Sequence, residues 1–160
     1  MSWKKELVDH SLMVSVFRLR RLGFFRDFCS GIVSWKNAYE EELGRISLTV
    51  FIGDSRWPAN RIQFQYSYTD YWSGETEWLD YWAEIVTTIC RFGGHRYWFL
   101  CPLWRNGYPC RRRVAVLYKP PSCSLFGCRI CHDLTYKSSQ ESHKYDWLYK
   151  QPGFEYLQYV

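Results

Sequence analysis

Four of the seven cysteines fall in a spacing that suits a tetrahedral cation. Cys128 and Cys131 are separated by Arg129 and Ile130, so both sulfurs can reach one ion from a single turn. Upstream, Cys101 and Cys110 flank the segment PLWRNGYP, and seventeen residues then separate Cys110 from Cys128. This is the layout of a zinc ribbon, two knuckles at one end of a small sheet, with the first knuckle stretched from two residues to eight. Pro102, Asn106-Gly107 and Pro109 are loop formers, so the inserted residues can bulge outward while both cysteines stay at the base. The alternatives are that Cys101 or Cys110 is a plain buried thiol, or that Cys123 or His132 takes a ligand's place. His132 adjoins Cys131, and neighbouring residues seldom both reach one ion, so it reads as a structural imidazole. A redox Cys-x-x-Cys opens a helix in a βαβ setting, whereas this one is embedded in strand-like sequence. The odd number of cysteines and the ribbon spacing argue against a disulfide framework. Cys29 and Cys90 lie outside the pattern.

Four thiolates leave a zinc ion no open coordination position, so the expected metal is one structural Zn2+ and the chain is read as a non-enzyme. His132-Asp133 has no second His or Asn at a nuclease-like distance. There is no Ser-His-Asp cluster, phosphate loop or nucleotide motif.

The charge distribution points to an anionic partner. The formal net charge is +5, but residues 1–90 hold ten Lys/Arg against twelve Asp/Glu, and residues 91–150 hold eleven against three. The basic character thus coincides with the cysteine-rich segment, although a tetrathiolate zinc centre would itself carry about −2. Arg111, Arg112 and Arg113 directly follow Cys110, and Arg96, Arg105, Lys119, Arg129 and Lys137 lie in the same lobe. Trp104 and Tyr108 stand in the inserted loop with Arg105 between them. Basic residues interleaved with rings suit phosphate contact plus base stacking, so nucleic acid, DNA or RNA, is the expected partner. The second reading is a protein-interaction module: a subunit, inhibitor or regulator, of phage or mobile-element origin, docking through the N-terminal sheet or the aromatic tail DWLYKQPGFEYLQYV.

The elements that must position these residues are mainly strands. Hydrophobic residues make up 47% and charged residues 23%, as in a folded chain, and the 20% of aromatic residues favours pleated sheet. Leu12, Val16, Leu19 and Phe24 lie near helical spacing and predict a short helix. CSGIVSW reads as a turn entering a strand. GRISLTVFIG alternates Ile46, Leu48, Val50 and Ile52; RIQFQYSYT alternates Ile62, Phe64, Tyr66 and Tyr68; EWLDYWAEIVTTI supplies a third strand. Turns are expected at Asp54–Asn60, around Pro58, and at WSGET. Gly93-Gly94 then opens a second unit. In it, Tyr97–Leu100 runs into Cys101, CRRRVAVLY is a strand with Val114, Val116 and Tyr118 on one face, and SLFGCRICH carries the last strand. SSQESHKYDWLY suits a short helix. The fold class is therefore β-rich: an N-terminal helix and antiparallel meander over residues 1–92, a four-cysteine zinc ribbon over 93–140, and a helix or tail over 141–160. No segment is apolar and long enough to span a membrane, and the arginines after Phe17 follow their apolar run, the reverse of a secretory leader. A soluble, cytoplasmic protein is expected.

FGGHRYWFLCP, CRRRVAVLYKPP and CRICHDLTYKSSQES together resemble a family of uncharacterised bacterial zinc-ribbon proteins, whose pattern runs FGGxRxWFxCP, a cysteine with RRVxxLYxPP, and CRxCHxLxYxSxxE. The likeness spans roughly residues 12–142, is specific in the ribbon and looser before it. It implies that Cys101, Cys110, Cys128 and Cys131 are the ligands. The chain departs from the family at the first knuckle, closed there as CPxC, and at Cys123. The resemblance carries no established activity.

Overall fold

A computed structural model describes residues 5–53, 60–70 and 72–141. A short 3-10 turn at Val8–His10 leads into β1 (Leu12–Ser15) and α1 (Val16–Arg21). Four long strands follow: β2 (Phe28–Lys36), β3 (Glu42–Phe51), β4 (Asn60–Thr69) and β5 (Thr76–Ile89). The cysteine-rich half contributes β6 (His95–Leu100), β7 (Trp104–Arg105), β8 (Tyr108–Pro109), β9 (Arg113–Val114), β10 (Val116–Lys119) and α2 (Lys137–Glu141).

β2-β3-β4-β5-β6-β9 form one six-stranded antiparallel sheet. The alternation read in the sequence sets its register: Leu48 lies opposite Phe64, Val50 opposite Ile62, and Phe64 opposite Tyr81. Ile46, Leu48, Val50, Ile62, Phe64, Tyr66, Ala83, Ile85 and Phe99 are buried on the inner face. The β4–β5 connection is a turn held by Asp70, whose Oδ1 accepts the backbone N–H of Trp72 (2.9 Å) and of Ser73 (2.8 Å). The Asp54–Asn60 turn falls on residues 54–59, outside the described residues, with Asn60 opening β4.

Strand β6 runs directly into Cys101, yet it pairs with β5 from Ile85↔Phe99 to Ile89↔His95. The cysteine-rich half and the meander therefore share one sheet, and a common core of Val14, Leu19, Phe24, Leu117 and Phe126 covers its inner face. Phe126 fills the centre of that cover, fully buried, with ring centroids 5.3 Å from Phe64 and 6.0 Å from Trp35. The opposite face of the sheet leaves Phe28, Ile32, Trp78 and Trp82 exposed.

Three local readings change. The N-terminal helix is confined to Val16–Arg21, because Leu12–Ser15 pairs as a strand with β10, from Leu12↔Lys119 to Ser15↔Val116. Ser15 closes the strand and caps the helix, its Oγ accepting the Phe17 N–H at 3.2 Å. The CRRRVAVLY strand is two strands: β9 pairs with β6, β10 pairs with β1, and the chain changes partner at Ala115, whose carbonyl accepts the Val16 N–H at 3.0 Å. Leu117 is consequently the fully buried residue, while Val114, Val116 and Tyr118 are only partly covered. The expected last strand is reduced to a single bridge, Tyr118↔Gly127. α2 ends at Glu141, and the rest of the expected helix, with the aromatic tail, lies outside the described residues.

Candidate metal centre

Three local devices deliver the four cysteines of the ribbon pattern. Cys101 directly follows β6, is buried, and donates its N–H to the Arg112 carbonyl at 2.9 Å. The eight residues after it form a miniature hairpin, β7 against β8, with Trp104 opposite Pro109 and Arg105 opposite Tyr108. Asn106 and Gly107 close it at φ 52 and 80, the left-handed pair that two-residue hairpins require. The hydrogen bond from Cys110 N–H to the Leu103 carbonyl (2.8 Å) zips the base. The insertion is thus a self-paired outgrowth, and Cys110 returns beside Cys101.

Cys128 and Cys131 sit on a turn closed by His132 N–H to the Cys128 carbonyl at 3.2 Å. Gly127 is required just before it. A Cβ there would overlap the Leu103 side chain and lie 2.9 Å from His132 Nε2.

The four sulfurs lie within 4.8 Å of one another. Cys101 Sγ to Cys131 Sγ and Cys110 Sγ to Cys128 Sγ are both 3.8 Å. Disulfide sulfurs would be about 2.05 Å apart. Tetrahedral ligands on Zn–S bonds of about 2.3 Å stand about 3.8 Å apart, so the donor set fits an ion of that size. Two backbone N–H groups point at sulfurs, Cys128 N–H to Cys101 Sγ at 3.2 Å and Cys131 N–H to Cys128 Sγ at 3.4 Å. Such bonds orient sulfur ligands and spread their negative charge. Hydrogen bonding from the Cys101 thiol pulls Cys128 down to about 4 and holds Cys101 itself protonated, while burial pushes Cys131 up to about 12. Ionising all four converging thiols needs a cation among them.

Cys123 and His132 are outside this cluster. His132 Nε2 is buried with no hydrogen-bond partner, and burial lowers the imidazole pKa. Cys29 is partly buried and Cys90 exposed.

The basic and aromatic residues divide into three groups. Trp104, Arg105 and Tyr108 project from the hairpin, with Trp104 69% and Tyr108 76% exposed. Arg105 Nη1 reaches the Ile130 carbonyl at 3.3 Å, tying the hairpin to the second knuckle. Arg96 and Arg113 lie against Trp98, guanidinium to ring centroid 4.8 and 5.7 Å. Arg112 is exposed beside them in sequence. The remaining residues are engaged elsewhere. Arg111 is paired with Glu84, Lys119 is half-buried over the Tyr68 ring at 4.9 Å with its pKa lowered by burial, and Arg129 lies over Tyr136 at 5.5 Å. Lys137 begins α2. Trp98, which the sequence reading missed, gathers Arg96 and Arg113 into one group. Its signal was present, since residues two apart on a strand share a face, as Trp98 does with Arg96.

Among the described residues no helix is long and apolar enough to cross a membrane. No family model matches the chain, and no curated protein or solved structure matches it.

Proposed function

We propose that Cys101, Cys110, Cys128 and Cys131 hold one structural zinc ion, and that the surface built around it binds nucleic acid. The tetrathiolate donor set and its 3.8 Å sulfur separations support the choice of zinc. The ion would supply cross-linking, tying the β6 end, the hairpin base and the second knuckle into one unit. The observation that carries the binding reading is the hairpin: Trp104 on β7 and Tyr108 on β8 flank its two-residue turn, 69% and 76% exposed. Rings so placed offer free faces for stacking, and Arg96, Arg112 and Arg113 have no ion pair to neutralise them among the described residues. Nothing in this reading needs an open metal position or a catalytic pair.

The test is binding of the zinc-loaded protein to labelled single- and double-stranded DNA and RNA, titrated across salt. Steep salt dependence, reduced by Arg112→Glu and Arg113→Glu, is the expected result. Weak binding to every polymer at low salt would overturn the assignment. The competing protein-interaction reading draws on the sheet face that exposes Phe28, Ile32 and Trp78. It would then take precedence.

A further inference from the structure

A cavity of about 340 Å³ lies between the end of α1 and β6, lined by Arg20, Gly23, Phe25, Arg26, His95 and Tyr97. Its volume is at the small end of the range for ligand clefts, about 300–1,000 Å³. Among the described residues the lining has no carboxylate. Two arginines and a histidine line it, and neither Arg20 nor Arg26 has an ion pair among the described residues. Placing like charges together raises their energy unless an anion joins them.

The chain assembles this lining at the helix end. Leu22, Gly23 and Phe24 donate their N–H groups to the carbonyls of Arg18, Arg20 and Leu19, at 3.0 Å each. These caps occupy the carbonyls of the last turn, so their negative ends are already spoken for. Gly23, at φ 79, reverses the chain in the left-handed conformation that glycine favours and returns Arg26 beside it. A Cβ on Gly23 would touch the Arg26 guanidinium at 3.5 Å. Arg20 from the helix and Arg26 from beyond the turn are thereby brought to one hollow. Phe25 stacks on Tyr97, with ring centroids 4.3 Å apart and planes within 5°, and this pair forms an apolar wall. His95 enters from the start of β6.

We infer that this cavity binds a phosphomonoester. Two fixed positive charges match a dianion, guanidinium forks match the phosphate oxygens, and the imidazole supplies a further donor. The flat Phe25–Tyr97 wall suits the organic part of a small phosphate such as a nucleotide. The phosphate can come from a free nucleotide or from the 5′ end of a nucleic-acid strand. Arg96 and Trp98 lie on the opposite face of β6 from His95 and Tyr97, and α1 reaches both sides, with Arg20 lining the cavity and the Phe17 ring 5.7 Å from the Arg96 guanidinium. The chemistry of the cavity does not depend on the nucleic-acid surface proposed above.

Titration of the zinc-loaded full-length protein with AMP and with adenosine tests the inference, using wild type and the Arg20→Ala/Arg26→Ala double variant. Both arginines are exposed, so the variant is expected to keep its melting temperature. Saturable AMP binding, absent for adenosine and weakened at least about ten-fold in the variant, is the supporting result. No saturable AMP binding, or equal binding by the variant, would overturn it. Paired oligonucleotides of one sequence, carrying a 5′-phosphate or a 5′-hydroxyl, separate the two sources. A 5′-phosphate preference that the double variant loses assigns a strand end, and AMP binding without end preference assigns a free nucleotide. AMP binding with no oligonucleotide binding would keep this cavity and remove the nucleic-acid reading. Oligonucleotide binding without AMP binding or end preference would do the reverse.

Discussion

Arg111 and Glu84, 27 residues apart, form a two-pronged ion pair, with Nη1–Oε1 at 2.6 Å and Nη2–Oε2 at 2.9 Å. The pair fastens the residue after Cys110 to β5, and Arg111 reaches it through a left-handed backbone at φ 46. It also removes one arginine of the Arg111–Arg113 run from the charge offered to a partner. Glu84→Gln should therefore strengthen polyanion binding and steepen its salt dependence, whereas Arg111→Ala should weaken binding less than Arg112→Ala or Arg113→Ala. Fluorescence anisotropy across salt measures both. Equal losses for all three arginines would show that the pair opens on binding.

Metal content should follow the four-cysteine cluster and ignore the other thiols. Cys110→Ser and Cys131→Ser are expected to lose bound zinc and the cooperative melting of the ribbon, while Cys29→Ser, Cys90→Ser and Cys123→Ser keep one ion per chain. Structural zinc sites contribute on the order of 10–16 kcal/mol in peptides, comparable to the whole stability of a domain. Elemental analysis with thermal melts decides the matter. Full zinc retention in Cys110→Ser would restore Cys123 or His132 as a ligand.

Acid should release the same ion, since protons compete with it for thiolates. The expected result is zinc loss as pH falls, with proton uptake by the freed sulfurs, followed by a chromophoric chelator. Metal retention independent of acid would be incompatible with a thiolate site.

Phe126→Ala should destabilise the fold by about 3–5 kcal/mol, the usual cost of emptying an aromatic core site. Phe126 is fully buried and lies close to Phe64, Tyr66 and Trp35 at once. Urea denaturation of the zinc-loaded variant reads the effect, and a loss below about 1 kcal/mol would mean that the loop over residues 120–136 carries little of the core.

Tyr81 and Tyr66 form a directional relay into the same loop. Phe126 N–H donates to Tyr81 Oη at 2.8 Å, and Tyr66 Oη donates to the Ser124 carbonyl, so the 3.1 Å contact between the hydroxyls uses the Tyr81 proton. Burial pushes Tyr66 up to about 12 and raises Tyr81 as well. Both are neutral acids favoured by folding, so the unfolded chain loses its protons first as pH rises. Their contribution is complete below the ordinary tyrosine pKa of about 10 and is lost between there and the raised values. Tyr81→Phe should cost about 1–3 kcal/mol at neutral pH, by leaving Phe126 N–H unpaired, and should flatten the alkaline decline. Urea midpoints at neutral and alkaline pH measure both, and an unchanged alkaline slope would exclude Tyr81 from the decline.

The strands of the meander and the convergence of the four cysteines were legible in the sequence, because both are written in local spacing. Alternation of Ile46, Leu48 and Val50, and of Ile62, Phe64 and Tyr66, is the period of an extended chain with one face buried. The intervals around Cys101, Cys110, Cys128 and Cys131 are set by how far a turn can reach, and Asn106-Gly107 names the hairpin that absorbs the extra residues. Tertiary structure decided what depends on partners far away in the chain. Leu12–Ser15 has helical spacing but becomes a strand because Val116–Lys119 offers it an edge. The Arg113–Lys119 run looks continuous but divides at Ala115 because its two halves have different neighbours. Which arginines are neutralised, as Arg111 is by Glu84, and which line one cavity, as Arg20 and Arg26 do with His95, is likewise absent from any local pattern. Charge and ring identity are read from the residue, but their availability is fixed only when the sheet brings distant segments into contact.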